Sequence, residues 1–137
     1  MAVTFFTKKV TVYNMKKVLY IDDDSFFLKE ISEHVRDRFP GIELVTCQDP
    51  IAALTLIDGS LDLLMMDLEM PRLDGKKLLS YAISQGLDKR KIVIISSREA
   101  DYLHEVFPMG ACLCVLNKHE LRQREALDMI LDSVEKK

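Results

Sequence analysis

Short apolar runs alternate with amphipathic stretches along most of the chain. Residues 17–21 (KVLYI) are apolar and stop abruptly at Asp22, Asp23 and Asp24, the pattern of a strand buried on both faces. Residues 25–39 then place Phe27, Leu28, Ile31, His34, Val35 and Arg38 at helical spacing. Asp24 or Ser25 can cap that helix, and Pro40-Gly41 stops it. Residues 42–47 read as a second strand, and Asp49-Pro50 opens a second helix that should run to about Gly59. Residues 62–66 (DLLMM) form a third buried strand, followed by a loop holding Pro71 and Gly75 and a helix ended by Gly86. A fourth strand at 92–95, a helix at 98–106, a fifth strand at 112–116 and a closing helix at 120–134 complete the series. Strands that alternate with helices need right-handed crossovers, so the predicted class is α/β, a doubly wound five-stranded parallel sheet covered on both faces.

Residues 1–14 fall outside this rhythm. They read as an extension, either an added edge strand carrying Val10 and Val12 or a disordered tail, ahead of one domain over 15–137. The closing helix reaches the end of the chain and leaves no length for an output domain, so output is expected through protein contact.

Composition removes several function classes. The chain has 137 residues, 48% of them hydrophobic, enough for one core. A net charge of -3, from 22 acids against 19 bases, argues against binding DNA or RNA. Apolar runs of about five residues are far short of the roughly 20 that span a bilayer, and the start lacks a secretory signal, so a cytoplasmic location is expected. Cys47, Cys112 and Cys114 lie in segments that read as strands and are taken as buried thiols. Their odd number disfavours a disulfide framework, and nothing at zinc-like spacing completes a site with them.

The chemistry gathers at strand ends. In a parallel sheet the functional crevice lies outside the carboxyl ends of the strands. Those ends carry Asp22, Asp23 and Asp24, then Asp67, then Ser96 and Ser97, then Lys118. Converging carboxylates repel one another unless a cation neutralises them. Oxygen ligands without histidine or thiolate suit Mg²⁺, with Mn²⁺ as a substitute. Asp67 is the lone acid at the third strand's exit and the candidate nucleophile for an acyl phosphate, while Ser96 and Lys118 can donate to phosphoryl oxygens. Asp24 is read as a cap, Asp62 and Asp101 as solvated or capping, Asp74-Gly75 taken alone as a turn, and His34, His104 and His119 as surface or packing residues.

Residues 67–75 (DLEMPRLDG), with VLYIDDD placed so that Asp23 lies 44 residues ahead of Asp67 (67 minus 23), resemble the receiver domains of two-component response regulators. The resemblance extends over residues 16–137. It implies a flavodoxin-like (βα)5 fold with strand order 2-1-3-4-5 and phosphorylation of Asp67. It also implies that Asp23 binds the metal directly, Asp22 mainly through water, and Glu69 through its main-chain carbonyl. Ser96 would be the switch hydroxyl, with Ser97 the alternative register. Lys118, 22 residues after Ser96 (118 minus 96), matches the family's lysine, although counting from Gly110-Ala111 puts Asn117 there instead. Two positions that tune acyl-phosphate lifetime correspond to Glu69 and Arg98, whose opposite charges could pair. Two departures stand out: His119 follows the lysine where proline is common, and Val115 or Cys114 occupies a position that is aromatic in many members. The implied partners are a sensor histidine kinase or histidine phosphotransfer protein upstream, and a protein target downstream at the face of the fourth helix, fifth strand and fifth helix. Homodimerisation on phosphorylation stays open. A receiver-like module that signals without phosphate is the alternative reading.

Overall fold

The computed structural model describes residues 2–4, 9–11 and 15–137. Near the start, strands β1 (Ala2–Thr4) and β2 (Lys9–Thr11) pair antiparallel with one another in a sheet of their own. The main sheet consists of β3 (Lys16–Ile21), β4 (Ile42–Cys47), β5 (Leu63–Asp67), β8 (Ile92–Ser96) and β9 (Cys114–Asn117). Between β5 and β8 lies a two-stranded turn of β6 (Glu69–Met70) and β7 (Leu73–Asp74). The helices are α1 (Ser25–Arg38), α2 (Pro50–Ala53), α3 (Gly75–Ser84), α4 (Ala100–Val106) and α5 (Leu121–Lys136).

All five main strands are parallel and lie in the order β4-β3-β5-β8-β9, which is 2-1-3-4-5 along the chain. The expected doubly wound class and strand order are therefore those observed. Each strand feeds two cores, because successive side chains point to opposite faces. Val18 and Tyr20 of β3, Leu63 and Met65 of β5, and Val93 and Ile95 of β8 join the core under α1 and α5. Leu19 and Ile21, Leu64 and Met66, and Ile92 and Ile94 join the core under α2, α3 and α4. Continuous apolar runs are what a sheet covered on both sides demands. Fully burying each such side chain contributes roughly 1.5–3 kcal/mol.

Helix ends follow local chemistry. The Asp24 carboxylate caps α1 by accepting from the Phe26 and Phe27 amides. Asp49, followed by Pro50, caps α2, and Asp74 caps α3. Gly86, at φ 95°, supplies the left-handed residue that ends the third helical segment.

Some bounds differ from the sequence expectation. The second helix has only the four residues Pro50–Ala53 before tightening into a 3-10 turn at Leu54–Leu56. There Thr55 Oγ1 donates to the Ala52 carbonyl at 3.0 Å, a local bond that competes with regular helix pairing. The fifth strand was expected at 112–116 but runs Cys114–Asn117. Cys112 stays outside it, its thiol turned to the Cys114 carbonyl at 3.4 Å, just after the turn at Gly110. The fourth helix begins at Ala100 rather than residue 98, and the last runs Leu121–Lys136 rather than 120–134. No described helix is long and apolar enough to cross a membrane.

Candidate functional site

The two-residue period of the strands sorts the site residues. Asp67 ends β5 on the α1/α5 face, in phase with Leu63 and Met65. Asp22 continues β3 in phase with Val18 and Tyr20, and Lys118 continues β9 in phase with Leu116. Ser96 ends β8 in the opposite phase, with Ile92 and Ile94, on the side of α4. The crevice thus straddles the sheet: two acids and an amine on one side, a hydroxyl on the other.

Asp22, Asp67 and Ser96 are the buried polar residues here. Lys118 Nζ lies 2.7 Å from Asp22 Oδ2 and 3.3 Å from Asp67 Oδ2, with the Phe27 ring face 4.7 Å away. The two residues offered for the lysine position, Asn117 and Lys118, are placed differently. Asn117 pairs with Ser96 in the sheet and sends its amide to the Arg98 carbonyl at 2.9 Å, while Lys118 alone of the two reaches the acids. Asn117 Oδ1 also accepts from the His119 amide at 2.8 Å.

Asp67 Oδ1 accepts from the Glu69 amide at 3.2 Å. Burial, and then the neighbouring Asp22 charge, push the Asp67 carboxyl up to about 7, against the opposing pull of Lys118. Lys118 itself is shifted upward: burial acts against its charge, but the bonds and charges of Asp22 and Asp67 outweigh it. One amine therefore does not balance the acids of this crevice.

A metal would. Asp22, Asp23 and Asp67 each offer an oxygen within 4.8 Å of the others, two of the three residues being buried and Asp23 exposed to the entrance. Hard carboxylate donors around an electron-rich crevice fit a small divalent cation that keeps some water.

Ser96 is fully buried, and its Oγ accepts from the Arg98 amide at 3.0 Å; the adjacent Ser97 is exposed. The Arg98 guanidinium forms an ion pair with Glu69 and lies 4.8 Å over the Tyr102 ring of α4. Glu69 and Arg98 thus meet across the crevice mouth.

Sequence reasoning gave Asp74-Gly75 too little. Gly75 N donates to the Leu68 carbonyl at 3.2 Å, and a Cβ at position 75 would meet that oxygen at 2.7 Å. The pair therefore pins the loop that follows Asp67. Tyr20 and Phe27 were read as core and helix-face residues, yet both touch the site. Tyr20 donates its hydroxyl to Asp22 Oδ2 at 2.6 Å, and burial together with that acid raises its pKa. The available signal was parity: Tyr20 lies two residues before Asp22 on one strand. His34 packs as expected, against Asp128 at 2.6 Å and edge-on to Phe39. Asp62 accepts from the Lys17 amide, and the Asp101 side chain lies outside the described residues.

The family model for the response regulator receiver domain matches residues 18–130. A glycerol metabolism activator from Pseudomonas putida is 38% identical over 121 residues, covering 86% of this chain and 55% of that protein. A protein-glutamate methylesterase/protein-glutamine glutaminase from Bradyrhizobium diazoefficiens is 30% identical over 112 residues, covering 78% of this chain and 30% of its own length. The chain thus spans about a third to just over half of these relatives. The receiver domain of Francisella response regulator 1452 superposes with a TM-score of 0.72 at 24% identity, over 88% of this chain and 97% of that one. Chemotaxis response regulator CheY4 of Vibrio cholerae gives 0.69 at 22%, over 88% and 98%. At these identities the structural likeness speaks for the fold alone.

Proposed function

Since the chain belongs to the response regulator receiver domain family, we propose that it is a phosphorylation-dependent switch that accepts a phosphoryl group on Asp67. The observation that carries this is a buried Asp67 whose carboxylate, beside Asp22, meets the Lys118 amine at the carboxyl edge of the sheet. The donor is a phosphohistidine on a sensor kinase or phosphotransfer protein. An Asp67 carboxylate oxygen attacks phosphorus, the O–P bond forms, and the P–N bond breaks with its electron pair leaving on the imidazole.

Lys118 then moves to the phosphoryl oxygens as a charged donor, and the Ser96 hydroxyl turns toward them as a neutral one. A divalent ion, Mg²⁺ by its ligand chemistry, would be held by Asp22, Asp23, Asp67 and the Glu69 carbonyl, and would neutralise charge on the transferring group. When Ser96 turns, its bond to the Arg98 amide is lost. That loosens the link to α4, so the signal leaves through the face of α4, β9 and α5 to a protein partner. The Glu69–Arg98 pair screens the acyl phosphate from attacking water and sets its lifetime. The site turns over no external substrate beyond its own modification, and its setting is cytoplasmic.

Incubation with acetyl phosphate and Mg²⁺ tests the reading by intact mass. A gain of about 80 Da, one phosphoryl group, is expected for the wild type and is lost in Asp67→Ala or without metal. No gain under any condition would favour a module that signals without phosphate.

A further inference from the structure

We infer that Tyr20 is a positioning residue for this transfer: its hydroxyl keeps Asp22 satisfied, which frees the Lys118 amine to leave the acid pair for the phosphoryl group. The inference rests on Asp67 being the phosphoacceptor. Tyr20 is fully buried in the core under α1 and α5. A phenylalanine would fill that core as well, so packing alone leaves the hydroxyl unexplained, and a buried phenol needs a partner. The partner is Asp22 Oδ2, at 2.6 Å.

Lys118 Nζ shares that same oxygen at 2.7 Å, while Asp22 Oδ1 is taken by the Asp24 amide at 2.9 Å. In the resting crevice Asp22 Oδ2 therefore has two donors. Phosphorylation of Asp67 places new anionic oxygens beside the amine, and Lys118 can satisfy them only by loosening its hold on Asp22. Were Lys118 the sole donor to Oδ2, its departure would leave that buried oxygen with no hydrogen-bond donor from the chain itself, which is costly. With the phenol in place one donor stays behind. The Phe27 ring face, 4.7 Å from Nζ, keeps the amine in the crevice through a contact independent of Asp22.

The test compares wild type with Tyr20→Phe as full chains, at saturating Mg²⁺ with acetyl phosphate. In each turnover an Asp67 oxygen bonds to phosphorus, the P–O bond to the acetyl group breaks, and acetate leaves with the electron pair. The initial rate of mass gain is expected to fall about tenfold in Tyr20→Phe, the scale of one hydrogen bond to a charged group. A second readout is spectroscopic. The chain has no Trp and four Tyr, so its near-ultraviolet spectrum reports tyrosine. A red-shifted tyrosine difference band should grow with the adduct as the phenol becomes the remaining donor to Asp22 Oδ2, and it should be missing in Tyr20→Phe. An adduct that forms at the same rate in both proteins, or that forms in wild type without the band, overturns the role of Tyr20 and leaves Asp67 standing. No adduct in wild type overturns both.

Discussion

The two flanks of the crevice are held by different means. On one side α1 and α5 are long helices that lock onto each other. Glu30 pairs with Arg124, His34 and Arg38 both reach Asp128, and the Gly41 amide donates to Glu135. Leu28, Ile31 and Val35 of α1 pack with Leu127, Leu131 and Val134 of α5 beneath them. On the other side α4 has seven residues and no side-chain cap. Among the described residues, no side-chain hydrogen bond or ion pair joins α4 to another helix; its polar link is Arg98, stacked on Tyr102 and tied to Ser96, Glu69 and Asn117. The α1/α5 flank is therefore held largely by bonds between its own helices, whereas the polar link of α4 runs through the crevice itself. On the proposed reading, the first wall presents Asp22, Asp67 and Lys118, and the more lightly tethered α4 reports a change at Ser96.

The largest expected effect separates the two walls by stability. Leu131→Ala, at a fully buried position in the interlocked flank, should cost about 4 kcal/mol. Leu103→Ala in α4 should cost about 2 kcal/mol, because a short, weakly tethered helix can collapse toward the cavity. Denaturant midpoints check this, and equal losses would remove the asymmetry.

A smaller effect concerns pH. Asp67, with its carboxyl raised from 3.8 to about 7 in the metal-free fold, keeps a proton that the unfolded chain has lost. Its contribution to stability is therefore complete below about pH 4 and disappears as pH rises through about 7. Without metal, the unfolding temperature should fall across that window. Asp67→Asn should flatten the fall and raise stability at pH 8 by at least ~1 kcal/mol, about 3 °C for a chain of this size. A slope unchanged in the variant would place the coupling elsewhere.

The smallest effects sharpen the contrast in kind. Asp128→Ala opens the α1–α5 lock and should cost at most about 1 kcal/mol while leaving the lifetime of the Asp67 adduct unchanged. Arg98→Ala should do the reverse, with little change in stability but faster hydrolysis of the adduct, as should Glu69→Ala. Adduct decay followed by mass, alongside thermal unfolding, distinguishes the two. A lifetime that ignores both Arg98 and Glu69 would contradict the screening role.

Much of this was legible in the chain because burial on two faces writes continuous apolar runs, and each run ends where the chemistry begins. Asp22, Asp67 and Ser96 follow from such runs. The position of Lys118 did not follow so cleanly. Among the described residues the fifth strand is an edge, paired only with β8, and Cys112 lies outside it, so counting from Gly110 misjudged where the strand starts. The shortened second helix was hidden because Thr55 acts through a side-chain bond that periodicity cannot register. Tyr20 was hidden for the opposite reason: it fits the apolar pattern so well that its hydroxyl drew no notice, and only the parity with Asp22 marks it.

The most direct test of the central claim is to locate the phosphoryl group. Wild type phosphorylated with acetyl phosphate and Mg²⁺ is reduced with borohydride, which converts an aspartyl phosphate to homoserine, and then digested and sequenced by mass spectrometry. Homoserine at position 67, and at no other acid, is the predicted result. Homoserine at Asp22 or Asp23, or none anywhere, would contradict the account.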